Sequence, residues 1–139
     1  MNTKHKGNIA VAQAISYFSK NGFFVFLPIG DNGGPIDLVV SRDGVTVQRV
    51  QCKYTEKKHY ASAQRDPNSE VWEVDLRQVK TRPRHRSEIV YSRDSFDLLW
   101  ITTPTGNYLI DWRSFVDEHN GVAPYSLRLG KKLQHTKVE

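Results

Sequence analysis

The chain has 139 residues, a formal net charge of +5, 38% hydrophobic residues and a single cysteine, Cys52. That length supports one domain with a core of its own, and that hydrophobic share excludes a disordered chain. One cysteine excludes an internal disulfide and a cysteine-based zinc cluster, and the positive excess favours a polyanionic partner.

The start, Met1 to Lys6, is polar. No apolar run is long enough for a signal peptide or a membrane span, so an intracellular setting is expected. Residues 4–21 read as a helix, with Val11, Ala14, Ile15 and Phe18 on one apolar stripe. Thr3 is placed to cap its start and Gly22 follows its last turn. Phe23 to Leu27 reads as a first strand. Pro28 to Pro35 is a loop with three glycines, which serve equally as turn residues or as places where backbone approaches a ligand.

Two strands at about 36–41 and 45–53 flank Asp43-Gly44. Valines on both faces imply a sheet covered on both sides. Side chains alternate along a strand, so Gln51 and Lys53 share one face while Cys52 points to the core, as a buried thiol and not a nucleophile. Asp37 joins Gln51 and Lys53 only in a register of the right parity. A three-residue loop, Arg42-Asp43-Gly44 with Gly44 in the left-handed conformation, sets Asp37 opposite Arg49 and satisfies that condition.

Residues 54–70 are polar, turning at Asp66-Pro67-Asn68. They carry Lys57, Lys58, Gln64 and Arg65, which suit a ribbon at about 54–72 contacting DNA, or an ordinary surface loop. His59 has no second histidine at metal-ligand spacing. Val71 to Val79 alternates as a strand. Arg77 to Arg86 is the densest charge in the chain, with Arg77, Lys80, Arg82, Arg84 and Arg86 as candidate phosphate contacts and Pro83 breaking regular structure.

Phe96 to Thr103 is an apolar strand, turned at Pro104 to Asn107 onto Tyr108 to Ile110. Asp111 is placed to cap a helix from Trp112 to His119, which Asn120-Gly121 ends. Trp100, Tyr108 and Trp112 read as packing residues. Tyr125 to Leu129 is expected to be the last strand, and the basic tail from Lys131 to fray. The chain shows no repeats, low-complexity stretch or linker. It is expected to be α/β, a mixed central sheet with flanking helices.

A carboxylate, a side-chain amide and a lysine on one face suit Mg²⁺-assisted phosphodiester hydrolysis. Asp37 supplies charge to the metal, Gln51 its side-chain oxygen and Cys52 its backbone carbonyl. Lys53 serves the attacking water or the charge that develops on phosphorus.

Pro35-x-Asp37 and Gln51-x-Lys53 together resemble the split motif of the PD-(D/E)XK nuclease superfamily. The glutamine in place of an acid is similar to the subgroup that holds certain intron-encoded homing endonucleases. Lys6 to Ala10 and Pro28 to Asn32 extend the resemblance, which covers the first 53 residues well and the rest loosely. It implies a restriction-endonuclease-like core. It also implies a DNA endonuclease that uses Mg²⁺ or Mn²⁺, cuts double-stranded DNA and works as a homo-oligomer, dimer or tetramer, because two strands need two sites. The cytoplasm of a prokaryotic or phage-infected cell is the corresponding setting.

The sequence departs from that family at Val11, where relatives carry a metal-binding glutamate. An engineered inactivation, an acid supplied from elsewhere such as Asp31, and a DNA-binding protein with a decayed site all accommodate it. A junction resolvase or restriction-type nuclease is a further alternative of the same fold.

Overall fold

The computed structural model describes residues 2–29, 34–59, 71–82 and 85–139, with side chains described outside 78–82 and 85–89. Helix α1, Thr3–Lys20, buries Ala10, Ala14 and Phe18. Its cap is Asn2 and not Thr3: the Asn2 side chain accepts from His5 N at 2.8 Å, one residue earlier than the expected start. Gly22 takes φ +82° just past the helix, a conformation that favours glycine.

Strands β1 (Phe24–Phe26), β2 (Leu38–Ser41), β3 (Gln48–Tyr54), β7 (Leu98–Thr103), β8 (Gly106–Asp111) and β10 (Lys137–Val138) form one mixed sheet in the order β1-β2-β3-β7-β8-β10. Its single parallel pair is β3 with β7, which sets Gln51 beside Leu99 and Lys53 beside Ile101. β4 (Glu73–Asp75) pairs with β9 (Ser126–Arg128), and β5 (Arg77–Arg82) with β6 (His85–Val90), as two separate two-stranded sheets. Helix α2, Trp112–Glu118, starts at Asp111, whose carboxylate accepts from Ser114 N at 3.2 Å.

The sheet is covered on both faces. On one, α1 packs with Leu38, Val40, Val50, Cys52, Leu98 and Trp100. On the other, Leu99, Ile101, Tyr108 and Ile110 meet α2 and the β4–β9 pair through Trp112, Val116, Val74 and Leu127. Trp100 and Trp112 are fully buried. Among the described residues no helix is long and apolar enough to cross a membrane.

Three further expectations are corrected. The three-residue hairpin loop does not form. Leu38 pairs with Val50 and Val39 with Arg49, so the register is shifted by two residues and the connection runs from Arg42 to Val47. Asp43 is the cause: its carboxylate accepts from Val45 N and Thr46 N at 2.8 and 2.7 Å, curling residues that would otherwise extend β3. Those amides hold the Asp43 carboxyl at a pKa of about 2. Gly44 does take the left-handed conformation, φ +79°.

The strand expected over Val71 to Val79 breaks at Leu76, because Asp75 Oδ1 accepts from Arg77 N at 2.9 Å and turns the chain. The basic run continues as a β-hairpin, with Pro83 and Arg84 outside the described residues. The tail does not fray: Lys131–Thr136 is a 3-10 helix whose Leu133 packs on the core, and β10 pairs with β8.

Asp97 ties three elements together. Its Oδ2 accepts from Arg49 N at 2.7 Å and Arg49 Nε at 3.2 Å, and its Oδ1 lies 3.2 Å from Arg113 Nη2. Burial raises its pKa, but the Arg49 amide and guanidinium outweigh that and hold it below 3.8. The stabilisation is therefore full above pH 3.8 and is lost as pH falls through the lower folded value. Asp97→Ala is expected to cost about 2–3 kcal/mol at neutral pH, read as a lowered urea midpoint, with the gap from the parent closing in acid.

Candidate functional site

Cys52 sits at the centre of the site through its backbone. Its thiol is buried in the α1-side layer, and burial raises its pKa well above the usual thiol value, so it is an inert core group. Its N–H donates to Asp37 Oδ2 at 2.7 Å, just past the last β2–β3 pair. Its carbonyl accepts from Gln51 Nε2 at 3.1 Å.

Gln51 is buried, and with its amide nitrogen committed its Oε1 has no partner among the described residues. An orphaned buried acceptor costs about 1–3 kcal/mol. Asp37, this oxygen and the second lone pair of the Cys52 carbonyl make an all-oxygen set around one strand. That is the donor chemistry of Mg²⁺. No group of three or more His, Cys, Asp or Glu residues suited to a metal occurs among the described residues, so any cation here relies on neutral oxygens beside one carboxylate.

Burial raises the pKa of Asp37, against the opposing pull of the Cys52 amide and of Lys53. Burial lowers that of Lys53, against the opposing pull of Asp75 and then Asp37. The Lys53 ammonium stands 5.3 Å from the ring centroid of Tyr91, a cation–π contact. Burial, Asp37 and Asp75 push Tyr91 up to about 12, so it is a neutral platform under the lysine.

The site thus gains two residues that sequence reasoning passed over. Asp75 registered only as the polar phase of an alternating strand, and nothing in the local pattern marked Tyr91. The Asp75 carboxyl is raised by burial but held lower overall by Arg77, which donates its N–H and guanidinium to it.

The structure brings Asp37, Gln51, Cys52 and Lys53 together. Val11 is half-buried against the α1-side apolar layer, the layer that also holds the Cys52 side chain. Of the candidate DNA contacts, Lys57 pairs with Glu73 at 3.5 Å, Lys58 lies over the Trp72 ring, and Arg77 pairs with Asp75 at 3.3 Å. The bases of the expected 54–72 ribbon meet where Lys58 bridges to Trp72. Its Gln64 and Arg65, and also Asp31 and Arg84, lie outside the described residues. Lys80 and Arg82 are on β5, and Arg86 is on β6.

Comparison with known proteins gives two findings. The sequence model of a family described as PD-(D/E)XK endonuclease matches residues 1–128. The structure of a bacterial homing endonuclease, I-Ssp6803I, superposes with a TM-score of 0.70 and 24% sequence identity, covering 94% of this chain and 80% of that one. No curated protein matches.

Because its folded pKa is raised, Asp37 binds its proton more readily in the folded state, so its ionisation at neutral pH works against folding. Asp37→Asn is therefore expected to unfold at a higher urea concentration than the parent at pH 7. The difference is full above the raised pKa and disappears below pH 3.8; a destabilised variant at pH 7 would contradict it.

Proposed function

Since the chain belongs to the PD-(D/E)XK endonuclease family, we propose that it is a metal-dependent DNA endonuclease of the homing type, acting on double-stranded DNA. The observation that carries this reading is the unpartnered Gln51 Oε1, buried beside the Asp37–Cys52 bond with Lys53 one residue further along the same strand face.

In this reading Asp37, Gln51 and the Cys52 carbonyl would hold Mg²⁺, with Mn²⁺ as a substitute. A bound Mg²⁺ supplies Lewis-acid stabilisation of the phosphate and a more acidic water. Asp37 contributes the negative charge and is kept in place by the Cys52 amide. Gln51 presents its oxygen because its nitrogen is already bonded to Cys52. Lys53 orients the attacking water or offsets the charge that develops on phosphorus, steadied by Tyr91 and by Asp75. Lys57, Lys58 and Arg77, with Lys80, Arg82 and Arg86 of the β5–β6 ribbon, supply contacts to the duplex, in line with the net charge of +5.

Val11 stands where the family carries an acid, and its half-buried packing favours a second reading: a DNA-binding protein whose cutting has decayed. Cleavage by this chain and by Val11→Glu, each with Mg²⁺ and with Mn²⁺, decides between them. On a library of genomic duplexes we expect Val11→Glu to cut about a hundredfold faster. Equal cutting by both would mean that position 11 is dispensable. No cutting by either, with salt-sensitive binding retained, would establish the DNA-binding reading.

Cutting both strands takes two sites, so the working form is read as a homo-oligomer, dimer or tetramer. The contact is assigned to the β1 edge of the sheet, unpaired among the described residues, where Phe24 and Phe26 are exposed and the Phe24 ring lies over Gly44, next to the exposed Val45. Light scattering should give at least a dimer for the parent and a monomer for Phe24→Ser/Phe26→Ser. A monomeric parent would sink this assignment.

A further inference from the structure

The β5–β6 ribbon rises from the site itself. β5 begins at Arg77, two residues after Asp75, and β6 ends at Val90, next to Tyr91. Asp75 helps to hold the charge on Lys53, and Tyr91 lies under its ammonium. Leu76 and Tyr91, the residues at the two feet, are buried. Among the described residues the ribbon pairs with no other strand. A two-stranded antiparallel ribbon fits the major groove of B-DNA. Six residues at about 3.3 Å each reach about 20 Å, or about six base pairs at 3.4 Å per step.

Its register sorts the basic run into two unlike faces. Residues directly opposite in an antiparallel pair share a face. Gln78, Lys80 and Arg82 pair with Ile89, Ser87 and His85. Arg77, Val79 and Thr81 pair with Val90, Glu88 and Arg86. By register the first face takes Gln78, Lys80, Arg82, His85, Ser87 and Ile89, two cations with an amide, a hydroxyl and an imidazole and no acid. The second takes Arg77, Val79, Thr81, Arg86, Glu88 and Val90, also two cations, but with two valines and an acid that phosphates repel.

We propose that the Gln78–Lys80–Arg82 face is the sequence-reading surface, inserted in the major groove within about six base pairs of the scissile bond. Arg77 and Arg86, on the other face, contact backbone phosphates. The candidate phosphate contacts of this run therefore divide into readers and anchors. Arg82 and Lys80 suit guanine, and Gln78 suits adenine. This inference rests on the duplex-DNA reading above.

The test is selection of the full chain on a pool of random DNA duplexes in EDTA, which separates binding from cutting. Arg82→Ala should lose about 5- to 150-fold discrimination at one base position. Gln78→Glu should move the preference at its position from adenine to cytosine, a change that misfolding cannot imitate. Arg86→Ala should weaken all sequences evenly and lower the salt slope by about 1. The proposal is overturned if Gln78→Glu leaves the selected sequence unchanged, or if Arg86→Ala is the variant that alters it. A parent that selects a sequence yet does not cut it with Mg²⁺ fails as a nuclease, while the ribbon result stands. A parent that binds no duplex, either in EDTA or with Ca²⁺ in its place, overturns both readings.

Discussion

The backbone of one residue, Cys52, holds the site together. Its side chain is locked in the layer beneath α1, so its amide and carbonyl have little freedom to move. The amide fixes Asp37 and the carbonyl fixes the Gln51 amide. Two polar side chains are thus set by a strand whose own position is set by hydrophobic packing. A site mounted on a central strand is more precise than one on loops, because displacing it would require breaking the β3–β7 ladder.

Two aspartates show how differently the fold uses the same carboxylate. Asp97 gains more from Arg49 than burial costs it, and it stabilises the chain when ionised. Asp37 has one amide and one partly neutralising lysine, and for it burial wins. The lysine is similarly strained, since burial outweighs the help of two carboxylates. Groups held in their less comfortable charge state cluster where chemistry is done, because packing elsewhere supports them. The cost is local, and the hydrophobic layers on both sides of β3 sustain it.

Much of this was legible because it is local. Ala14 and Phe18 of the helix stripe, the capping Asp111, the Gly44 conformation and the inward Cys52 follow from neighbours in sequence. The parity that aligns Asp37 with Gln51 and Lys53 was also legible, although the register itself was two residues away. An even shift preserves every face, so the error left the candidate site intact. Asp75 and Tyr91 were not legible. They reach Lys53 only through the folded path of β4 and the turn after β6, and no periodicity encodes that meeting. The ordered tail escaped for the same reason: β10 is held by β8, a partner distant in sequence.

The valine on α1 has an electrostatic consequence for the proposed reading. Asp37 and Lys53 carry opposite charges, and Asp75 is shared with Arg77. The pocket is then close to neutral, whereas a dication is held best by net negative charge. A phosphate lying in the site would bring the missing charge, so metal and DNA would each favour the other's binding. That coupling is reciprocal by thermodynamic necessity. An acid at position 11 would weaken the coupling by letting the metal bind first. In that reading position 11 would bear on the order of assembly as well as on the rate, and the fold accommodates valine there because its side chain packs against the apolar layer under the sheet.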